Sequence, residues 1–122
     1  MDPYQPKQVI RGVCPSKSNL YQIVTIGGHP SLAKTKAMKQ YEDNFYIQCN
    51  LYRNANIEGY FEFHMEVFYP SERADLDNST KVVLDCLQYV KAIKNDNKCV
   101  KLVIDKFKDV SDPRIEFQII PV

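Results

Sequence analysis

Asp75 and Asp77 stand one residue apart in the stretch ADLDN, and Lys81 follows four residues after the second acid. Carboxylates held side by side repel unless something positive lies between them, so this spacing points to a divalent metal ion. In an extended segment alternate side chains share a side, which puts Asp75 and Asp77 together and turns Leu76 toward the core. Once a helix begins, Asp77 and Lys81 share a face, and Asn78, Lys81 and Asp85 continue along a polar side opposite Val83 and Leu87. A fixed cation thus sits about one turn from the acids.

Asp96 is the leading candidate for a third metal ligand, in the polar turn Lys94, Asn95, Asp96, Asn97, Lys98. A helix over about 78–92 carries the chain roughly 20 Å, so Asp96 joins the pair only if the chain doubles back. Simpler roles are open to the same residues: acids cap helices, and Asn-Asp-Asn forms turns. An EF-hand is excluded, because a loop starting at Asp75 has Thr80 where Gly belongs and Cys86 where the bidentate Glu belongs.

The surrounding elements must hold these residues in place. Residues 8–14 and 20–26 read as short strands around a Pro15 to Ser18 turn, the second ended by Gly27, Gly28 and Pro30. Met38, Tyr41, Phe45 and Cys49 recur at helical spacing, which predicts a helix from Ser31 or Ala33 to about Cys49 with Lys34, Lys36 and Lys39 in its first half. Residues 60–69 alternate apolar and polar as a strand with one buried face, His64 lying on the other face as a structural or surface group. A second helix comes next, with Val83, Leu87 and Val90 inward and Asp77 or Asn78 as its N-cap. Strands over about 99–107 and 115–120 close the chain. The pattern is a single α+β domain, a mixed sheet with two main helices packed on it.

The chain has 122 residues, 44% hydrophobic and 25% charged, a balance that suits one globular domain spanning 1–122. A formal charge of +1 requires any nucleic-acid partner to be attracted by local patches. The N-terminus lacks the apolar run of a secretory signal, and no stretch approaches membrane-spanning length, so a cytoplasmic protein without a membrane partner is expected. Cys14, Cys49, Cys86 and Cys99 have neither zinc-site spacing nor a disulfide framework and read as buried thiols.

DLDN followed by Lys81, with Asn95 and Asp96 beyond the helix, resembles the RusA family of Holliday junction resolvases of bacteria and their phages or prophages. The likeness extends to PSKSN at 15–19, LAKTKAMKQYE at 32–42 and the strand entering YPSERADLDN. Two departures stand out: Asn95 occupies a position where many relatives have an acid, and Val90, Lys91, Ala92 lack the Gly often found after the central helix.

The resemblance implies a small homodimeric endonuclease, dependent on Mg²⁺ with Mn²⁺ as a substitute, that resolves four-way DNA junctions by paired nicks in recombination and repair. It implies Asp75, Asp77 and Asp96 as metal ligands and Lys81 as the catalytic lysine. Lys17, Lys34, Lys36, Lys39, Arg73, Lys94 and Lys98 are the candidate phosphate contacts, Arg73 and the 34–39 lysines foremost by their nearness to the family motifs. A domain that binds branched DNA without cutting it is the alternative, and a protein-interaction domain with the acids as mere caps is a third class.

Overall fold

A computed structural model describes residues 6–15, 21–72 and 79–122. It has the expected α+β architecture. The strands are β1 (Gln8–Arg11), β2 (Tyr21–Ile26), β3 (His29–Lys34), β4 (Phe61–Tyr69), β5 (Cys99–Lys108) and β6 (Arg114–Pro121), and the helices are α1 (Lys36–Gln48) and α2 (Thr80–Tyr89). Four strands form a mixed sheet in the order β1-β6-β4-β5, while β2 and β3 form a separate ribbon. β4 runs antiparallel to β6 and parallel to β5, so α2 is the crossover between two parallel neighbours.

The period-two pattern of β4 explains the layers. Phe61, Phe63, Met65, Val67 and Tyr69 are buried in one core with Ile115, Phe117 and Ile119 of β6, and with Met38, Tyr41 and Phe45 of α1 and Val82, Val83, Cys86 and Leu87 of α2. Phe117 stacks on Phe45 with ring centroids 5.9 Å apart, and Phe63 and Tyr52 tilt against it. On the other face, His64 bonds Glu62 at 3.0 Å, and Arg114 lies 3.8 Å from the Phe68 ring while pairing with Glu116. His64 is thus the satisfied structural group its position on the strand suggests. The core thiols are inert as nucleophiles, since burial pushes Cys14 up to about 12 and Cys49 up to about 11.

The beginning of α1 corrects the sequence reading. Residues 31–34 belong to a strand, because Gly27 and Gly28 (φ +57° and +80°) make a two-residue turn that reverses the chain into a hairpin, pairing Ile26 with His29. The helix starts only at Lys36, where Thr35 accepts a hydrogen bond from the Met38 N–H at 3.3 Å. Lys34 is therefore a strand residue. At α2 the N-cap position is Ser79, which makes no side-chain cap bond, rather than Asp77 or Asn78.

Candidate active site

One face of α2 organises the site. Lys81, Asp85 and Gln88 succeed one another at helical spacing, and each reaches a partner outside simple helix pairing. Lys81 Nζ lies 2.9 Å from Asp85 Oδ1 and 3.3 Å from Asp96 Oδ2. Gln88 Oε1 accepts the Asp96 backbone N–H at 2.9 Å. Asp96, fifteen residues beyond Lys81, thus has its backbone beside the last turn of the helix and its carboxylate at the Lys81 ammonium.

The end of α2 makes that placement possible. Lys91 adopts φ +60°, the left-handed conformation. The Ala92 N–H then donates to Leu87 O at 2.9 Å and the Lys91 N–H to Gln88 O at 3.1 Å, the paired bonds of a Schellman end, with Ala92 and Leu87 buried together. The loop after α1 fastens the chain from Val90 to Lys94. Asn54, Asn56 and Ile57 donate to Val90, Lys91 and Ala92, and Lys94 donates back to Ile57. Asn54 and Asn56 reach those carbonyls with positive φ, which Asn tolerates. Asn95 caps the short 3-10 turn Asp96–Lys98, its side chain accepting from the Asn97 N–H at 3.1 Å. Its amide shapes the turn that carries Asp96, a task suited to a side chain that caps.

Lys81 is shared by two acids, which fixes its charge. The Asp85 hydrogen bond first, and Asp96 after it, raise its pKa above that of free lysine against a partial loss of water. Asp85 is held in turn by the Tyr21 hydroxyl, which donates to Oδ2, so the hairpin is tied to the site at its open end. Burial, then Asp85, pushes the Tyr21 phenol well up, so it remains a donor. Neither Tyr21 nor Gln88 is legible as a site residue from sequence, whereas Asp85 had a signal in its four-residue spacing from Lys81.

The candidate basic residues divide. Lys34 pairs with the buried Glu42 at 2.8 Å and lines, with Asp85, Gln88 and Tyr89, a cavity of about 380 Å³ beside the Lys81 cluster. Lys94 and Lys98 flank Asp96 and line a second cavity with Glu58, Asn95 and Asn97. Lys36 and Lys39 lie exposed on α1. Asp75, Asp77, Lys17 and Arg73 lie outside the described residues. Among the described residues, no three acidic, His or Cys side chains gather closely enough to hold a metal.

Set beside known families, residues 15–120 match the family model described as endodeoxyribonuclease RusA. The chain belongs to the RusA family. Membership assigns it to the endodeoxyribonucleases and implies Holliday junction resolvase activity. The RusA match runs from Pro15 to Ile120 in β6 and so includes the acidic segment, Lys81 and Asp96. Among curated proteins, none matches the chain. No helix among the described residues is long and apolar enough to cross a membrane.

Proposed function

We propose that this RusA-family protein is a cytoplasmic, homodimeric, structure-selective endodeoxyribonuclease, a single domain over 1–122 that resolves four-way DNA junctions in recombination and repair by divalent-metal-dependent hydrolysis. The observation that carries the reading is the return of Asp96 to Lys81, four residues past Asp77. The donor chemistry fits magnesium, since Asp96 offers hard carboxylate oxygen beside the Lys81 ammonium, and Asp75 and Asp77 precede that lysine closely in sequence. Asp75, Asp77 and Asp96 would hold the ion, with Mn²⁺ as a substitute. When bound, it supplies Lewis-acid charge and an activated water.

In the reaction, the oxygen of water attacks phosphorus and the P–O3′ bond breaks, leaving a 5′-phosphate and a protonated 3′-hydroxyl. Lys81 neutralises charge growing on the phosphate oxygens, and Asp85 holds its ammonium in position. Lys34, Lys36, Lys39, Lys94 and Lys98, with Lys17 and Arg73, contact the phosphates of the arms. A two-fold dimer on a near-two-fold junction offers two such sites to two equivalent strands, which pairs the nicks.

The test is a labelled four-way junction incubated with the protein and Mg²⁺ or Mn²⁺, beside a linear duplex. Paired nicks in the junction alone, lost on chelation and in Asp77→Asn, are expected. Junction binding with no cleavage in either metal would make the protein a branched-DNA-binding module instead.

A further inference from the structure

β5 is the outer strand of the main sheet, ten residues reading CVKLVIDKFK. β4 fills one edge in parallel, and among the described residues no strand fills the other. Long edge strands with apolar exposure are templates for another strand, and Val100, Leu102 and Phe107 are about half exposed here. The charges along β5 add a second asymmetry. Asp105 lies opposite Glu66 of β4, two carboxylates side by side, and Lys7 pairs with Glu66 while no cation among the described residues pairs with Asp105. Like charges directly opposite across a sheet destabilise it, so Asp105 favours a cation on its open side.

The strand's own sequence supplies that cation. We propose that β5 pairs antiparallel with β5 of a second copy of this chain about a two-fold axis through Val103, joining the two main sheets into one. In that register Lys101 faces the partner's Asp105, and by symmetry Asp105 faces the partner's Lys101. Leu102 faces the partner's Ile104 and Val103 its own counterpart, so apolar meets apolar on both faces at the centre of the pairing, while beyond them Val100, the extra residue of a bulge, lies toward the partner's Lys106. A slip of one residue in one direction sets Lys101 against the partner's Lys106, and in the other sets Asp105 against the partner's Val100. The ion pairs therefore select the register as well as the partner.

This pairing specifies the dimer within the resolvase reading, but its readout is mass in solution, so either can fail without the other. Sedimentation velocity at low-micromolar concentration tests it. The wild type is expected to sediment as a dimer, and Asp105→Lys and Lys101→Asp, each alone, to weaken dimerisation about tenfold or more. An equimolar mixture of the two single variants is expected to dimerise, because the heterodimer forms one ion pair as in the wild type and the other with its signs exchanged. The double variant K101D/D105K is expected to restore the dimer with both pairs exchanged. A wild-type monomer, single variants as dimeric as wild type, or a mixture and double variant that stay monomeric would each overturn the proposal. If a single variant loses its circular-dichroism spectrum, the double variant decides alone, a dimer supporting the pairing and a monomer overturning it.

Discussion

Lys81 lies between two acids, and removing one of them has a directional consequence. Its pKa is raised chiefly by Asp85, so Asp85→Asn lowers it toward the ordinary lysine value of 10.5. The alkaline limb of junction cleavage, where Lys81 loses its proton, is expected to move to lower pH in that variant. Junction binding should be retained, and a limb that stays in place would contradict the assignment. Because the folded pKa is the higher one, the stabilisation from these ion pairs is complete below pH 10.5 and fades as pH rises through the folded value. Lys81 is half exposed, so that contribution is small, about 1 kcal/mol or less. The pairing of Lys81 with Asp85 could be read from spacing alone, but the arrival of Asp96 could not. It depends on the left-handed Lys91 and on backbone bonds from the 54–57 loop, neither of which leaves a periodic signal.

At the scale of elements, the two helix ends near the site differ in quality. Lys91 occupies a left-handed position where a Cβ is strained by about 1 kcal/mol. Lys91→Gly is therefore expected to stabilise the protein by up to about 1 kcal/mol, with a higher urea midpoint at unchanged slope. A lower midpoint would mean that the Lys91 side chain contributes more than its backbone costs. Thr35→Ala removes the cap of α1 and is expected to cost about 1 kcal/mol, measured in the same way. That cap also marks the limit of periodicity as a guide. The buried face Met38, Tyr41, Phe45 predicts α1 correctly, whereas 31–34 contains no core residue to reveal its period, so only the Gly27-Gly28 turn distinguishes strand from helix.

For the whole molecule, the core is the most legible part and the site the least. Alternation in β4 and helical spacing in α1 and α2 name most of the buried residues, because burial imposes those periods directly. Phe117 joins the layers, touching Phe45 of α1, Phe63 of β4 and Tyr52 of the connecting loop. Phe117→Ala is expected to cost about 3–5 kcal/mol, and a loss under about 1 kcal/mol would mean that the sheet and helices are held by other contacts. The proposed site, residues 75, 77, 81 and 96, has no single period, since a helix lies between its members in sequence. The most direct measurement is therefore junction cleavage by Asp96→Asn in Mg²⁺, with junction binding measured on the same sample. A fall in cleavage of about a hundredfold or more with binding retained is expected. Cleavage at the wild-type rate would contradict the placement of Asp96 at the reacting centre.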